Sequence, residues 1–554
     1  QSGRDYKGDI SEDMNKQSLL KGATILGIAG IFVKLLGAVF RLPLVNWIGD
    51  TGMANYGPAY YIYAFLVIVA TSGLPVAISK MVSESISIGN YYQAHKVFKI
   101  SIGMMIGIGC LFSAILFVFA PQIASLMNNK DAALGMQMIA PALILVPTMA
   151  AFRGYFQGMQ NMKPTAVSQV TEQLFRVVIG LGLAYVMFFK TIGNSTYDRY
   201  ARGAAGANFG ATAGAFGGLL IIGLIYYLSR KNINKRVDRT ENLGSADSKR
   251  IVKRILQIAV PITIGAAILP VMNLVDSAIV MNRLTSAAGF SQEIAKSLYG
   301  QLSGFVGSLI NFPQIVTQAV AVSIVPIIAA AHKRKLKGEI DKNTSMGIRM
   351  AVIIGYPCAI GLIVLAKPTL LLLYPKQATS AASAASVLAI MAFGIIFLSI
   401  ALTLVGILQG IGRQMIPVKN MFIGMIFKII LTWILVSFRS INVNGAAIGT
   451  VVAYAVSVVL NLRAVVRYTK VKIKYGLVFV RPMVSALTMG VLVFASYKAV
   501  MMLLHKNSIA TLISIGIGIV VYGLMILKTK AISAEELSMI PKGEKLAKIA
   551  KKIT

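Results

Sequence analysis

Apolar segments long enough to cross a membrane recur along the whole chain, separated by short polar stretches. A helix needs about 20 apolar residues to span a hydrocarbon core of about 30 Å, and the sequence contains fourteen such segments. The pattern therefore predicts an all-α integral membrane protein with fourteen transmembrane helices. The predicted spans are 19–47, 58–79, 98–120, 133–152, 165–189, 204–228, 255–282, 297–331, 346–366, 382–411, 416–438, 445–462, 477–497 and 508–527.

The basic residues predict how these spans are oriented. An even number of spans leaves both termini on one side. When alternate loops are assigned and cations at span ends are given to the nearer loop, 39 of the 54 Lys and Arg residues fall on that side. Eleven fall on the opposite side and four lie inside spans. Because cytoplasmic loops carry the excess of Lys and Arg, both termini are predicted to be cytoplasmic.

The composition argues against a soluble protein, a nucleic-acid partner and a metal site. The chain is 56% hydrophobic and 13% charged, whereas a soluble domain carries about 25% charged residues. The net charge of +35 would suggest a nucleic-acid partner in a soluble protein, but here the charge lies in loops between apolar segments, so we expect none. The two cysteines lie inside apolar segments and no metal-ligand motif is present, so neither a metal site nor another cofactor is expected.

Catalysis is not expected either. A membrane enzyme that builds glycans needs a catalytic acid, usually with metal ligands, in an outer loop. The predicted outer loops are short, and one of the longest, KTIGNSTYDRYARG, contains Asp198 as its only acid. No P-loop motif indicates ATP hydrolysis. The sequence thus favours a transporter over an enzyme.

The two halves of the chain resemble each other. FQGMQNMKPTAVSQVTEQLFRVVIG in spans four and five matches LQGIGRQMIPVKNMFIGMIFKIILT in spans ten and eleven, which pairs Arg176 with Lys428. GANFGA, which opens span six, matches GAAIGT, which opens span twelve. We therefore predict two six-helix lobes related by a parallel repeat, followed by spans 13 and 14. The predicted domains are a tail (1–18, cytoplasmic or left over from cloning), an N-lobe (19–229), a basic cytoplasmic linker (230–252), a C-lobe (253–470), spans 13–14 (471–530) and a basic amphipathic cytoplasmic tail (531–554).

Apart from cations near the span ends, which are assigned to the nearer loop, four cations lie inside predicted spans, namely Lys34, Arg41, Arg176 and Lys428. Each costs roughly 2.5–3.5 kcal/mol to place at the centre of a bilayer. Lys34, Arg176 and Lys428 lie about 16–22 Å from the cytoplasmic ends of their spans at 1.5 Å per residue. We interpret these cations as facing a hydrated cavity that binds an anionic, phosphate-bearing substrate. The alternatives are snorkelling of the Lys34 and Arg41 side chains to the membrane surface and a structural Glu172–Arg176 pair one helical turn apart.

The chain resembles a known family of membrane transporters. The QG-x(5–6)-P connection, the 6+6+2 arrangement and KLLGAVFRLPLVNWIGDTGMANYGPAYYIY resemble the polysaccharide-exporter branch of the multidrug/oligosaccharidyl-lipid/polysaccharide (MOP) superfamily. Within this branch the sequence is most similar to Gram-positive MurJ-type lipid II flippases and the related SpoVB/YtgP proteins. The resemblance covers nearly the whole chain and is more specific for the superfamily than for the substrate.

The resemblance implies a central cavity lined by spans 1, 2, 7 and 8, and a groove for a lipid tail formed by spans 13 and 14. Functional cations are expected on spans 1, 2 and 8. Lys34 fits the first position, Arg41 lies about one residue from the second, and Lys80 and Arg283 are the nearest substitutes for the remaining ones. These residues, with Arg176 and Lys428, form the predicted substrate-binding set.

Some members of the superfamily couple transport to a cation through ligands on spans 7, 11 and 12. Asp276, Asn273 and Thr450 could contribute here, and Glu172 is the second intramembrane acid. Span 11 offers Lys428 in place of an acid, which leaves two alternatives: Lys428 pairs with Asp276 where a cation would bind, or Asp276 pairs with Arg283. The expected coupling is an ion or the membrane potential.

The implied function is a flippase that moves an undecaprenyl-pyrophosphate-linked cell-wall precursor, lipid II, from the inner to the outer leaflet of a bacterial plasma membrane by alternating access. The alternatives are a flippase for another lipid-linked polysaccharide (teichoic, capsular or sporulation-related) and a cation-coupled multidrug exporter. The expected partners are the lipid-linked glycan, membrane lipids and the cell-wall synthesis machinery, with the protein acting as a monomer.

Overall fold

A computed structural model shows that the chain is helical throughout the part that it describes. The structure describes residues 2–190, 198–241, 244 and 246–532, and of residues 2–24, 308, 311 and 312 it describes the backbone alone. Within these ranges there are nineteen α-helices and no β-strand. The all-α prediction is therefore confirmed. The predicted basic tail lies outside the described residues from residue 533 onward.

The helices follow one another with short connections. Two π-helical turns, at residues 301–306 and 476–480, precede α11 and α18. The helices are α1 Ser2–Thr71, α2 Leu74–Ser87, α3 Tyr91–Val118, α4 Ala120–Leu126, α5 Ala132–Ile139, α6 Ala142–Gly158, α7 Lys163–Phe189, α8 Arg199–Asp238, α9 Ser248–Ser286, α10 Gln292–Gly300, α11 Gly307–Lys333, α12 Lys337–Val364, α13 Ala366–Leu373, α14 Ala378–Ser383, α15 Ala385–Gly410, α16 Met415–Leu435, α17 Asn444–Thr469, α18 Arg481–Leu504 and α19 Asn507–Lys528.

Thirteen helical segments in the described residues are long and apolar enough to cross a membrane. The first of them, Ile25–Ser87, has 63 residues, which is enough for two crossings at 1.5 Å per residue. Its helix is interrupted at Gly49, where φ is 63° and ψ is −164°, a conformation that favours glycine. The protein is thus a multi-pass membrane protein, while the count of fourteen spans and the cytoplasmic termini stay predictions.

The first two predicted spans have different ends in the structure. The sequence predicts separate spans over 19–47 and 58–79, whereas α1 continues to Thr71 and α2 starts only at Leu74. Pro75 lies in the first turn of α2, where the missing proline N–H costs no helical hydrogen bond. The break between α1 and α2 therefore lies just before Pro75 and does not coincide with a polar loop.

The chain forms two compact units, residues 1–278 and 279–554. In the first unit, apolar side chains of α1, α5, α6 and α8 share one core. The segment between α8 and α9 lies against the start of α3: Asn90 Nδ2 donates to the Gly244 carbonyl at 3.0 Å, and the Ala246 N–H donates to Gln93 Oε1 at 2.8 Å. The residues of the predicted linker include the end of α8 and the start of α9, and the predicted domain boundaries stay predictions.

The two units repeat the same close helix contacts. A Cβ on Gly154 of α6 would meet the Pro75 carbonyl oxygen of α2 at 2.9 Å, and a Cβ on Gly406 of α15 would clash with the Ala321 carbonyl oxygen of α11. Gly158 and Gly410, one turn later, approach Val82 and Ile328 in the same way. The helix pair α2–α6 of the first unit thus corresponds to the pair α11–α15 of the second.

A second pair of contacts supports the alignment of Arg176 with Lys428. A Cβ on Gly210 of α8 would lie 2.9 Å from the Arg176 carbonyl oxygen of α7, and a Cβ on Gly449 of α17 would lie 3.2 Å from the Lys428 carbonyl oxygen of α16. The two cations therefore occupy equivalent positions on equivalent helix pairs. Small residues allow such close approach of helices in membranes.

Two prolines inside helices leave carbonyl groups without a helical donor, and side chains far away in the sequence donate to them. Pro58 cannot donate to the carbonyl of Ala54, and Asn129 Nδ2 donates to that oxygen at 2.9 Å. Pro357 likewise cannot donate to the carbonyl of Ile353. The Tyr522 hydroxyl of α19 donates to that oxygen at 2.7 Å. Such bonds are required because an unsatisfied carbonyl inside a membrane is costly.

Replacing Tyr522 with phenylalanine should lower the free energy of unfolding by about 1–2 kcal/mol, because it leaves the Ile353 carbonyl unsatisfied. In a Pro357→Ala background the same replacement should cost less, since alanine at that position supplies a backbone N–H to the carbonyl. Thermal unfolding of the four proteins in detergent measures both effects. Equal losses in the two backgrounds would show that the hydroxyl stabilises the protein through some other contact.

Candidate functional site

Two arginines of the first unit, Arg41 and Arg176, converge on a pair of stacked tyrosines. Tyr56 and Tyr60 are four residues apart on α1, so they lie on the same helix face. Their ring centroids are 5.6 Å apart at an interplanar angle of 13°. Tyr56 is fully buried. Arg41, from the part of α1 before Gly49, lies with its Cζ 5.6 Å from the centroid of the Tyr56 ring.

Arg176 approaches the same tyrosines from α7. Its Nη2 donates to the Tyr56 hydroxyl at 3.4 Å, and its Cζ lies 4.9 Å from the Tyr60 centroid and 5.7 Å from the Phe40 centroid. Cation–π contacts of this kind stabilise a charged guanidinium by about 0.5–2 kcal/mol. Arg176 Nε is buried and has no hydrogen-bond partner among the described residues. The guanidinium therefore keeps donor capacity for a further acceptor.

Glu172 does not neutralise Arg176. Its carboxylate accepts from Arg153 Nη2 of α6 at 2.8 Å, and Arg153 Nε donates to Ser168 Oγ at 2.9 Å. The Glu172–Arg176 pair considered from the sequence is thus wrong, because the arginine of a neighbouring helix lies closer to the carboxylate. Arg41 and Arg176 are brought together, while the acid beside them has its own partner.

We call Arg41, Tyr56, Tyr60 and Arg176 the arginine–tyrosine cluster. Its position depends on the contact between α7 and α8. A Cβ on Gly214 would meet the Glu172 carbonyl oxygen at 2.6 Å and the Arg176 Cβ at 3.0 Å. Glycines on α8 thus let α7 pack close enough to α8 that Arg176 reaches the tyrosines of α1.

Lys34 lies on α1, about 10 Å along the helix axis from Arg41 at 1.5 Å per residue. Its side chain is exposed in the structure. At 100° per residue, Lys34 lies about 120° around the helix from the centre of the exposed apolar face and shares a flank with Arg41. That apolar face consists of Ile28, Ile31, Phe32, Leu35 and Val39. Lys34 therefore does not lie among the apolar side chains suited to lipid.

Lys428 has a different environment from its counterpart Arg176. Lys428 is 1% exposed, and its backbone carbonyl lies in the contact of α16 with α17. Thr450 of α17 is also buried and donates to the Ala446 carbonyl at 3.0 Å. A side chain so deeply buried can contact a substrate only in another conformation, so the substrate-binding role of Lys428 stays a prediction.

Arg283, predicted as a substitute for a cavity cation, is held by α16. Its Nη2 and Nε donate to Ser437 Oγ at 2.6 and 2.9 Å, and its Cζ lies 4.3 Å from the Trp433 ring centroid. These contacts hold the end of α9 against the last turn of α16 and the residues that follow it, within the second unit. They give Arg283 a structural role, and its substrate role stays a prediction.

The remaining predicted residues are not part of the arginine–tyrosine cluster. Lys80 is exposed on α2, and Asn273 is exposed on α9, where its carbonyl accepts from Ser277 Oγ at 3.2 Å. Asp276 is partly buried on the same helix. Within the described ranges, no group of three or more His, Cys, Asp or Glu side chains could hold a metal ion.

Sequence reasoning missed Tyr56, Tyr60 and Arg153. The tyrosines stand in YGPAYYIY, where a four-residue spacing of aromatic residues indicates one helix face. Arg153 follows directly after the predicted span 133–152, so the hydropathy pattern predicts a loop residue. A polar pairing between Arg153 and Glu172 could have been suspected from the rarity of both residue types inside membrane helices.

Comparisons with known proteins agree with this fold. Residues 19–332 match the family described as "Polysaccharide biosynthesis protein", and residues 303–434 match the family described as "MatE". A solved structure of the lipid II flippase MurJ in an inward closed conformation superimposes with a TM-score of 0.66 at 16% identity, covering 91% of this chain and 98% of that one. This likeness confirms the fold.

Two curated proteins of Bacillus subtilis (strain 168) are similar to the chain over most of their length. The uncharacterized membrane protein YabM is 30% identical over 98% of this chain and 99% of its own. The lipid II flippase MurJ is 27% identical over 81% of this chain and 83% of its own. These relatives and structural neighbours are membrane proteins that include flippases and transporters rather than enzymes. The chain therefore belongs to the polysaccharide biosynthesis protein family of the MOP superfamily and is a MurJ-like multi-pass membrane protein.

Proposed function

We propose that this protein flips lipid II, an undecaprenyl-pyrophosphate-linked cell-wall precursor, from the inner to the outer leaflet by alternating access. The observation that carries the proposal is the arginine–tyrosine cluster. Two guanidinium groups lie on one stacked tyrosine pair inside apolar helices, and the nearby carboxylate of Glu172 is paired with Arg153. Two guanidinium groups on one tyrosine pair suit an anionic ligand.

A pyrophosphate fits the donors of the cluster. Arginine presents planar N–H groups that match phosphate oxygens in pairs, and the tyrosine rings hold the guanidinium groups in place without consuming their charge. The free-energy cost of bringing a pyrophosphate into the membrane falls when such donors replace the hydrogen bonds that it makes to water. Lys34, on the same flank of α1 as Arg41, would add a point charge along the path of the headgroup.

The relatives support this substrate class. One curated relative is named a lipid II flippase, and the stage V sporulation protein B of Bacillus subtilis is 26% identical over 83% of this chain. A lipid-linked glycan other than lipid II, such as a teichoic, capsular or sporulation-related precursor, is the second candidate. The match of residues 303–434 to the MatE family favours, as a third candidate, a cation-coupled drug exporter, but such an exporter needs free carboxylates for its cationic substrates.

Depletion of the protein in cells tests the substrate directly. If it flips lipid II, that precursor should accumulate in the inner leaflet within one generation, whereas other undecaprenyl-linked glycans should not. Resupply of the wild-type protein should reverse the accumulation. Accumulation of a different lipid-linked glycan would establish the second candidate, and unchanged precursor levels together with raised sensitivity to cationic drugs would establish the third.

Replacing Lys34 with alanine should slow flipping about tenfold, because the loss of one charge-assisted hydrogen bond costs about 1.5 kcal/mol. Lys34→Arg should retain most of the rate, since the charge remains. Flipping of a fluorescent lipid II analogue in proteoliposomes, at matched protein incorporation, measures both rates. A normal rate for Lys34→Ala would remove Lys34 from the substrate path.

We also propose that an ion or the membrane potential drives transport, with Asp276, Asn273 and Glu172 as candidate coupling residues. Of these, Glu172 is held by Arg153, so Asp276 is the stronger candidate for an ion ligand. A sodium-dependent rise in melting temperature that is lost in Asp276→Ala would support an ion site. The absence of any ion effect, with flipping still driven by an imposed potential, would favour coupling to the potential.

A further inference from the structure

A basic cleft of about 310 Å³ lies in the second unit, where the first turns of α12 face the segment that joins α17 to α18. Its volume is at the lower end of the range for pockets that hold small ligands. The charged side chains that line it are Asp341, Lys342, Arg349, Lys472 and Lys474. None of these residues belongs to the arginine–tyrosine cluster or to the predicted substrate-binding set.

The cations of the cleft differ in their exposure. Arg349 is only 8% exposed, whereas Lys342, Lys472 and Lys474 are exposed. A recessed guanidinium offers a planar pair of donors to two oxygens of one phosphate group, and flexible ammonium groups around it close on the remaining oxygens. This combination of one buried guanidinium and several exposed ammonium groups is suited to a phosphate.

Asp341 is the single acid of the lining, so four cations face one carboxylate and the formal charge of the cleft is +3. Asp341 Oδ1 is buried and has no hydrogen-bond partner among the described residues. The carboxylate therefore lowers the affinity of the cleft for an anion without being required for a hydrogen bond at that oxygen. Removing this carboxylate should therefore raise the affinity for an anion, whereas removing a lysine should lower it.

The surroundings place the cleft beside the membrane surface. It lies at the end of the spans where the basic residues concentrate, which the positive-inside rule assigns to the cytoplasm. Tyr475 is 61% exposed and stacks on Phe479 with ring centroids 6.0 Å apart, as is common for aromatic residues at a membrane–water interface. From the cleft, the end of the π-helical turn and α18 carry a row of exposed apolar side chains, Val480, Val484, Leu487 and Val491.

We propose that this cleft binds a phosphate group, with Arg349 as the fork and Lys342, Lys472 and Lys474 as surrounding charges. Two sources share this chemistry, the headgroup of an anionic phospholipid of the inner leaflet and a free phosphate. The apolar row on α18 favours the headgroup, since acyl chains can lie along it while the phosphate occupies the cleft. The lining of the cleft contains none of the predicted substrate-binding residues, so the proposal does not depend on the identity of the transported lipid.

The test is a binding titration of the purified full-length protein in detergent. Phosphatidylglycerol, phosphatidylcholine with the same acyl chains, and inorganic phosphate are added in turn, and bound molecules are counted by native mass spectrometry while the melting temperature is followed. We expect phosphatidylglycerol to bind and raise the melting temperature, and phosphatidylcholine to do neither. If millimolar inorganic phosphate does the same as phosphatidylglycerol, the source is a free phosphate.

Charge variants distinguish the cleft from the rest of the basic surface. The double variant Lys472→Gln/Lys474→Gln removes two exposed charges and should weaken phosphatidylglycerol binding about 30-fold. The matched control Lys231→Gln/Lys235→Gln removes two exposed charges from the end of α8 and should leave the affinity unchanged. Asp341→Asn should strengthen binding. The proposal is overturned if the two double variants behave alike, if Asp341→Asn weakens binding, or if neither lipid nor inorganic phosphate binds preferentially.

Discussion

Replacing Arg176 with glutamine should reduce the rate of lipid flipping by about 10- to 150-fold while leaving the protein folded. The expected loss corresponds to one charge-assisted hydrogen bond, about 1.5–3 kcal/mol. The fold should survive because Arg176 contacts aromatic rings and the Tyr56 hydroxyl rather than a carboxylate, so its removal leaves no buried charge unpaired. Arg176→Lys should give an intermediate rate, since it keeps the charge but loses the planar fork. Flipping in proteoliposomes and melting temperature in detergent measure the two effects separately.

Arg153 is the matched control for Arg176. It lies in the same unit and contacts the same stretch of α7, but it forms an ion pair with Glu172 in which the two side chains are 15% and 27% exposed. Arg153→Gln leaves the Glu172 carboxylate without its partner, so stability should fall by about 3 kcal/mol. If Arg176→Gln lost stability to the same extent with an unchanged flipping rate per folded molecule, the arginine–tyrosine cluster would be structural.

Replacing Gly210 with alanine should destabilise the protein by about 1–3 kcal/mol and also slow flipping. The new Cβ would lie 2.6 Å from the Gly180 Cα and 2.9 Å from the Arg176 carbonyl oxygen. Both contacts are with backbone atoms, so α7 and α8 must move apart. That movement would shift Arg176 relative to Tyr56 and Tyr60. The melting temperature and the flipping rate should therefore fall together.

Two other glycines provide graded controls for Gly210→Ala. Gly182, on α7, has open space on its side-chain face, since an added Cβ would meet nothing within 4 Å, so Gly182→Ala should not destabilise the protein. A Cβ on Gly449 would meet Thr432 Oγ1 at 2.8 Å and the Lys428 carbonyl oxygen at 3.2 Å. Because the Thr432 side chain can rotate away, Gly449→Ala should have an intermediate effect. Equal melting temperatures for all three variants would contradict the close packing of these helices.

The sequence predicted those residues of the candidate site that are energetically costly inside an apolar segment. Lys34, Arg41 and Arg176 attract notice because each places a positive charge inside an apolar segment. Tyr56 and Tyr60 gave no such signal, because tyrosine is common near the ends of membrane helices. Their role emerges only when α7 brings Arg176 to within 4.9 Å of the Tyr60 ring centroid.

The Glu172 carboxylate shows why pairings are difficult to predict. Arg176, one turn away, is the nearest cation in the sequence, and a pair on one helix needs no tertiary contact. In the structure, Arg153 takes that role from a different helix. The choice depends on how closely α6 packs against α7, which is decided by the shapes of many side chains together.

The amino-acid sequence was sufficient to predict the all-helical membrane fold and the internal repeat. Both follow from properties averaged over about 20 residues, namely the length of an apolar segment and the similarity of two segments. The tertiary structure decided the partners: the tyrosine pair under the two arginines, Arg153 for Glu172, the full burial of Lys428, and Tyr522 for the carbonyl that Pro357 leaves unsatisfied. Each of these depends on the distance between residues on different helices, and that distance is set by side-chain packing rather than by any local pattern.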